Sequence, residues 1–226
     1  YHQEKAAYLD ECLNSITVQT LAPSELVLVH DGELKTELIR IIDIYKKSLP
    51  IKEVKLPLNV GLAAALNAGL KSCSNSLIVR MDSDDVCVED RFELQVAYMQ
   101  ENPRIAVSSG IIEEWNVEMT QMMQSRTLPL RHDSIENFAK FRNPINHPAA
   151  IFRKEIILGS GGYPLIYPED YLLWVKLICA GHKFGNLDSV LVRMRTGNEF
   201  FKRRGLRFLR GELQIYVYLK RAGRIN

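Results

Sequence analysis

The chain has 226 residues, of which 46% are hydrophobic and 25% charged, a composition typical of a globular protein and not of a disordered one. No apolar run approaches the ~18–20 residues of a membrane-spanning helix, and no signal peptide is visible. The four cysteines lie far apart and form no CxxC pair. We therefore expect free thiols in a reducing, cytoplasmic compartment and no zinc site.

The net charge of +2 is unevenly distributed along the chain. Residues 202–226 carry +7, because eight Lys and Arg face one acidic residue, and the remainder carries −5. A basic amphipathic helix is predicted over residues 203–221, with one face formed by Leu206, Leu209, Leu213 and Tyr216. Either residues 202–224 make peripheral contact with an anionic membrane, or the helix covers the domain and leaves a solvated basic face.

From the start of the chain, apolar spacings of three and four residues predict helices over residues 6–19, 34–45, 62–70 and 92–99. Short apolar runs between these helices predict strands at residues 26–29, 77–81 and 105–107, and a weaker pattern predicts a strand at residues 51–56. Strands that alternate with helices and are apolar throughout are typical of an α/β fold with a mostly parallel sheet and helices on both faces.

The second half of the chain is less regular. A strand and loop rich in methionine are predicted over residues 110–130, where the methionines serve packing or a lid. A loop follows at residues 143–148. The sequence then predicts a helix over residues 169–180 that ends at Gly181, and a strand over residues 190–194.

The strongest chemical signal is the acidic turn, residues 82–85, with the sequence Asp-Ser-Asp-Asp. It directly follows an apolar strand, at the strand end where open α/β sheets bind ligands. Three carboxylates this close repel one another unless a cation compensates, and oxygen donors suit Mg²⁺ or Mn²⁺. A helix N-cap is the alternative, but a cap accounts for one or two of these carboxylates and not for three.

Weaker signals come from three other places. Asp31 precedes Gly32 at a second strand end, where its carboxylate could face the same crevice and bind a ribose or a base edge. Glu169 and Asp170 open a helix one turn before Trp174; they are either ordinary acidic residues of a helix N-terminus or include a general base. His147 lies in a loop, where a histidine is commonly structural or exposed.

These motifs occur in the order seen in family 2 glycosyltransferases, which have the GT-A fold. Residues 8–20 resemble the family's first helix, and residues 26–32 resemble a strand with a nucleotide-contacting Asp. Residues 59–67 are similar to its N-x-G-L…A-x-N segment, and residues 80–85 to its DxD motif. The acceptor-side half is matched by residues 146–148, 161–163 and 169–174. The amylovoran-type enzymes of bacterial exopolysaccharide assembly are the most similar subgroup.

The resemblance implies an inverting transfer of a sugar from a nucleotide-sugar donor to a hydroxyl of a saccharide or lipid-linked saccharide, with no nucleic-acid partner. On the donor side, Asp84 binds Mn²⁺ or Mg²⁺, and Asp82 contacts the ribose and reaches the metal. Asp31 contacts the nucleoside. Arg195 is expected after the last strand, pairing with the diphosphate from a mobile loop that contains Gly197 and Gly205.

On the acceptor side, the resemblance makes Asp170 the general base, with Glu169 as the second choice. His147 and Trp174 are expected to shape the acceptor pocket. The resemblance divides the chain into a GT-A domain over residues 1–200, with a nucleotide-binding half (1–110) and an acceptor half (111–200), followed by the basic helix (201–226).

Two features depart from the family pattern. The family begins with an apolar strand that ends at about Tyr1, so we expect the opening strand to be missing from this sequence. His30 replaces the acidic residue that often precedes Asp31. Two alternatives stay open: a sugar-phosphate nucleotidyltransferase, and a nucleotide-binding module without transferase activity.

Overall fold

The computed structural model describes residues 3–197 and 206–225, with the side chains of residues 206–208 left aside. Within these residues the helices are α1 (Ala6–Thr17), α2 (Thr36–Tyr45), α3 (Leu62–Ser72), α4 (Arg91–Glu101), α5 (His132–Phe138), α6 (Lys154–Gly159), α7 (Glu169–Cys179) and α8 (Leu206–Arg221). The strands are β1 (Leu26–Asp31), β2 (Ile51–Leu56), β3 (Leu77–Val79), β4 (Val86–Cys87), β5 (Ile105–Trp115), β6 (Met122–Arg126), β7 (Ile151–Arg153) and β8 (Lys183–Arg195). A 3-10 turn covers His147–Ala149.

The strands form two sheets. β1 and β2 pair in parallel as a two-stranded sheet. The larger sheet has the order β3-β7-β5-β8-β4, with β6 paired to β5. Among the described strands, no ladder joins the two sheets. The acidic turn connects β3 to β4 and therefore lies at one end of the larger sheet.

The strand pairing is mixed, and the two longest ladders, β1–β2 and β5–β8, are the parallel ones. The shorter pairs β3–β7, β4–β8, β5–β6 and β5–β7 are antiparallel. Strand and helix alternate up to β5 except that β4 follows β3 directly. After β5, β6 returns directly as a hairpin, and the short β7 follows a loop and not a long crossover helix.

Two main cores hold these elements together. The first packs α1 and α2 against one side of β1, with Leu9, Leu13, Leu38 and Ile42 fully enclosed. The second gathers α7, β5, β7 and β8 around Trp174, Phe184 and Phe152. α8 adds Ile215 and Leu219 to this second core.

Gly32 shows how closely the chain approaches itself beside the end of β1. Its φ is +87°, and a Cβ atom there would lie 2.9 Å from the backbone nitrogen of Asn59. L-residues rarely adopt this conformation, and the backbone nitrogen cannot move aside as a side chain could. Gly32 therefore lets the end of β1 pack against the loop that leads into α3.

The basic tail forms α8, as the sequence predicts, but with a different side facing the domain. Ile215 and Leu219 are buried, whereas Leu209, Leu213 and Tyr216 are exposed. Leu206 belongs to the side chains left aside. None of the described helices combines the length and the apolar character needed to cross a membrane.

We predict that Gly32→Ala lowers the free energy of unfolding by about 1–3 kcal/mol, because it forces both an unfavourable φ and a backbone clash. Urea unfolding followed by circular dichroism measures this change. Gly159→Ala is the matched control, since its Cβ would meet nothing within 4 Å and its φ is not positive. Equal stability of the two variants would contradict the prediction.

Candidate active site

The acidic turn begins with a buried ion pair. Arg80 follows β3, and its amide donates to the carbonyl of Ala150 on the neighbouring chain segment at 2.9 Å. Both terminal nitrogens of its guanidinium donate to the two carboxylate oxygens of Asp82. The Arg80 side chain is 6% exposed and that of Asp82 is 31% exposed. Asp82 is therefore held in one orientation while part of it reaches the surface.

The other carboxylates of the turn lie in a negative environment. Burial, Asp82 and Glu4 raise the pKa of Asp84 to about 6. Asp85 is buried, and burial together with Asp82 and Asp84 raises its pKa well above the usual range. One oxygen of Asp85 accepts the amide of Arg195 at 2.8 Å, and the other has no hydrogen-bond partner. The turn therefore carries more negative charge than its neighbours balance.

This donor set fits a hard divalent cation. Asp82 and Asp84 supply carboxylate oxygens from one short turn, and a cation would relieve the repulsion that raises the Asp84 pKa. Both Asp82 oxygens already accept from Arg80, so Asp84 is the better-placed ligand of the two. Within the described part of the chain, no three His, Cys, Asp or Glu side chains gather into a preformed metal cluster.

Arg195 differs from its predicted place. It is the last residue of β8 and not part of a following loop, and its side chain is 5% exposed. Its guanidinium pairs with Glu11, donates to the carbonyls of Asp84 (3.0 Å) and Val117, and lies 4.0 Å from the ring centre of Tyr8. These contacts help to hold the acidic turn in place. Gly197 follows the strand, and Gly205 lies outside the described residues.

Asp31 ends β1 and binds backbone. Its two oxygens accept the amides of Val60 at 2.7 Å and Gly61 at 3.1 Å, which fixes the loop before α3. A carboxylate has further lone pairs, so these bonds do not exhaust it. Beside it is an open cavity of about 630 Å³, lined by residues 31–36 and 57–59. Residues 57–59, at the start of the loop held by Asp31, thus form one wall of this cavity.

The acceptor-side carboxylate is Asp170, in the first turn of α7. Its Oδ2 accepts from Nδ2 of Asn143 at 2.6 Å and lies 4.0 Å from Nδ1 of His147. Burial raises the pKa of Asp170, and the Asn143 hydrogen bond opposes this rise. Glu169 beside it is buried, whereas the Asp170 side chain is 14% exposed. A half-buried carboxylate with a raised pKa next to an imidazole has the properties of a general base.

His147 and Trp174 differ in their surroundings. Nε2 of His147 lies 3.1 Å from the Tyr163 hydroxyl. Burial, and after it the charge of Arg80, holds the pKa of His147 well below its usual range, so the ring is neutral. Trp174 is 0% exposed and packs edge-on 6.1 Å from His147. Trp174 therefore supports His147 from inside the core, and any part it has in shaping an acceptor pocket is through His147.

Arg80 brings the two halves of the site together. Its charge acts on Asp82 and Asp84 on one side and on Asp170 and His147 on the other. Asn67 of α3 adds a second link, since its side-chain amide exchanges two hydrogen bonds with the backbone of Tyr163, at 2.7 and 2.8 Å. α3 begins directly after the loop held by Asp31, so it connects that residue to the acceptor side.

Sequence analysis assigned no role to Arg80, Arg91 or Asn143. Arg91 is 0% exposed and donates to the carbonyls of Arg80 (2.6 Å) and Pro148 (3.1 Å). It therefore joins the start of the acidic turn to the segment that carries His147. The only available signal was position, since Arg80 precedes the acidic turn and Asn143 opens the loop that contains His147.

Known proteins that resemble this chain identify its family. The model of the glycosyl transferase family 2 matches residues 1–158. The chain belongs to glycosyl transferase family 2. It is a glycosyltransferase, as the resemblance implied, and the comparisons do not favour the nucleotidyltransferase alternative.

Two curated relatives cover the whole chain. The amylovoran biosynthesis glycosyltransferase AmsE of Erwinia amylovora is 37% identical over 231 residues, which is 100% of this chain and 86% of the relative. The UDP-Gal:alpha-D-GlcNAc-diphosphoundecaprenol beta-1,3-galactosyltransferase of Escherichia coli is 37% identical over 228 residues, which is 100% of this chain and 82% of the relative. The match to AmsE agrees with the subgroup named from the motifs.

Solved structures confirm the GT-A fold. The mannosyltransferase PcManGT of Pyrobaculum calidifontis, in complex with GDP-Man and Mn²⁺, superposes with a TM-score of 0.72 at 17% identity. S. aureus TarS 1–349 in complex with UDP-GlcNAc superposes with a TM-score of 0.69 at 21% identity. The matches cover 98% and 93% of this chain, but this glycosyltransferase spans only 62% of each of those chains.

We predict that Asp84→Asn stabilises the metal-free glycosyltransferase at neutral pH. The ordinary carboxyl pKa of 3.8 rises to about 6 in the folded protein, so the ionised form destabilises folding above pH 6 and wild-type stability increases as pH falls through 6. The variant should gain about 1–3 kcal/mol at pH 8 and nothing near pH 4. Urea unfolding with a chelator present measures this difference.

Asp188→Asn is the control for this experiment, because Asp188 is exposed on β8. It should leave the stability unchanged at both pH values. A pH-independent effect of Asp84→Asn would contradict the raised pKa.

Proposed function

We propose that this glycosyltransferase transfers a sugar from a nucleotide-sugar donor to a hydroxyl of a saccharide or lipid-linked saccharide in bacterial polysaccharide biosynthesis, with inversion and with a divalent metal. The observation that carries this proposal is the arrangement around Arg80. This guanidinium donates to Asp82 of an acidic turn suited to a cation, and its charge also acts on the half-buried Asp170 beside His147.

The donor side combines the cavity beside Asp31 with the acidic turn. We assign the nucleoside to the cavity lined by residues 31–36 and 57–59. Asp84, with Asp82, would hold Mn²⁺ or Mg²⁺, which supplies positive charge for a diphosphate leaving group. PcManGT in its Mn²⁺ complex supports use of such an ion in this fold. Arg80 keeps Asp82 oriented, and Arg195 keeps the acidic turn in place.

The acceptor side uses Asp170 as the general base. In a single displacement, its carboxylate takes the proton from the acceptor hydroxyl as the oxygen attacks the anomeric carbon, and the bond to the nucleotide diphosphate breaks. Asn143 orients the carboxylate, and Glu169 is the second candidate for the base. The neutral His147, held by Tyr163, is placed to contact the acceptor.

The substrate class follows from the relatives. The name of the E. coli relative specifies a UDP-Gal donor and a GlcNAc-diphosphoundecaprenol acceptor, and AmsE is named for amylovoran biosynthesis. We infer a lipid-linked acceptor for this chain as well. The cytoplasmic location, inferred from the unpaired cysteines, and peripheral contact with the inner membrane through residues 202–224 belong to the same proposal.

The central test is Asp170→Asn. We expect transfer to fall by about 10²–10⁴-fold, because the amide cannot accept the acceptor proton, while Mn²⁺-dependent donor binding is unchanged. Transfer is measured by release of nucleoside diphosphate from UDP-, GDP- and dTDP-sugars in the presence of a lipid-linked disaccharide pool. Donor binding is measured by calorimetry.

Glu169→Gln is the matched variant, and it should retain much more activity than Asp170→Asn. Equal loss of donor binding and transfer in Asp170→Asn would remove Asp170 from the role of base. Donor binding by the wild-type chain without any transfer would favour a nucleotide-binding module instead.

A second prediction concerns Asn143. Asn143→Ala removes the hydrogen bond that lowers the Asp170 pKa, so the carboxylate ionises at higher pH and the acidic limb of the kcat profile should move upward. At pH 7 the loss of one charge-assisted hydrogen bond should lower kcat by about tenfold or more. A fall in kcat at every pH without movement of the limb would show that Asn143 is only structural.

A further inference from the structure

The orientation of α8 leaves an apolar row pointing away from the protein. Gly211, Ile215 and Leu219 recur every four residues on the side that faces the domain. A Cβ atom on Gly211 would lie 1.8 Å from the carbonyl oxygen of Tyr167, so the helix backbone sits directly on the loop before α7. The helix is thus fixed along one side, and the opposite side faces outward.

The outward side is not the polar surface expected of a solvated helix. Leu209 is 63% exposed, Leu213 62%, Tyr216 48% and Val217 39%. Their spacing of four, three and one residues places them on one continuous stripe. A stripe of large apolar side chains over more than two turns marks an interaction site more often than a solvated face.

The charges beside this row are mainly positive. Arg210, Lys220 and Arg221 are exposed, and Glu212 is the only acidic residue of α8. Arg224, just beyond the helix, is paired with Glu136 and is not counted among them. An apolar stripe edged by Lys and Arg is the pattern of a helix that lies in the interface of an anionic bilayer.

We propose that the outward face of α8, formed by Leu209, Leu213, Tyr216 and Val217, is a docking surface for an anionic lipid bilayer. A second copy of the chain is a poorer occupant. A two-fold interface through this face would bring its basic residues close to the same residues of the other copy, and like charges repel.

The position of this face relative to the candidate base deepens the proposed function, on which this step depends. Tyr167, the residue beneath Gly211, precedes Asp170 by three positions. Leu165 and Ile166, just before Tyr167, are also exposed (72% and 39%). The helix that would hold the bilayer therefore packs directly on the loop that leads to Asp170, which links the docking surface to the residue proposed to act on a lipid-linked acceptor.

Vesicle co-sedimentation of the full chain tests the docking surface. The probes are vesicles of phosphatidylcholine alone and of an equal mixture of phosphatidylcholine and phosphatidylglycerol. We expect salt-sensitive binding to the anionic vesicles. The double variant Leu209→Ser/Leu213→Ser should weaken it by about tenfold or more, and Arg210→Gln/Arg221→Gln should weaken it to a similar degree. Circular dichroism checks that both variants are folded.

Two controls make the result specific. Ile39→Ser/Ile44→Ser removes two exposed apolar side chains from α2 (42% and 56% exposed) and should leave vesicle binding unchanged. Asp170→Asn should also bind vesicles normally. A failure of the transfer assay therefore leaves this test readable, and a failure of vesicle binding leaves the proposed chemistry standing.

Three results would overturn the proposal. Wild-type protein could remain in the supernatant with both kinds of vesicle. The Leu209/Leu213 double variant could bind as tightly as wild type. Analytical ultracentrifugation could instead show a dimer that the same double variant dissociates, with no vesicle binding, and the face would then be a contact between protein copies.

Discussion

The arrangement of this glycosyltransferase depends on one buried guanidinium. Arg80 is almost completely removed from solvent, and its charge is tolerated there because Asp82 accepts from both of its terminal nitrogens. Removing Asp82 would leave the buried charge of Arg80 without compensation, which is destabilising. The pair therefore fixes the geometry of the acidic turn more firmly than backbone contacts alone could.

The same charge has opposite effects on the groups around it, and both favour the proposed chemistry. It opposes the rise in pKa that burial gives Asp84 and Asp170, so these carboxyls ionise more readily. It adds to the effect of burial on His147, so the imidazole stays neutral. The single positive charge of Arg80 thus favours ionised Asp84 and Asp170 and a neutral His147 at the same pH.

Much of the fold can be predicted from the sequence, because the spacing of apolar residues is enough to identify long helices and strands. α1, α3 and α7 each have a helical stripe, and β1 begins with a continuous apolar run. Short elements gave no such signal. β4 has two residues and β7 has three, and both depend on pairing with distant strands. The antiparallel pairing of these short strands therefore cannot be predicted from the sequence pattern, which indicated a mostly parallel sheet.

The candidate site was likewise only partly predictable from the sequence. The acidic turn was recognisable, because three carboxylates after an apolar strand need a compensating positive charge wherever the strand lies. The residues that orient these carboxylates were not recognisable, because Arg80, Asn143 and Arg195 act through side-chain direction or through contacts between residues far apart in sequence. Trp174 is a further example. Its position one turn after Asp170 does not reveal that its side chain lies in the core.

The C-terminal helix shows why apolar residues alone do not decide which side of a helix is buried. α8 has two candidate sides, one with Leu209, Leu213 and Tyr216 and one with Gly211, Ile215 and Leu219, and the first is the more apolar in sequence. The second faces the domain because Gly211 is the one residue small enough to let the helix backbone rest on the carbonyl of Tyr167. Close approach then lets Ile215 and Leu219 enter the main core. The steric requirement at one glycine thus decides the orientation, and the larger apolar side chains remain outside as a consequence.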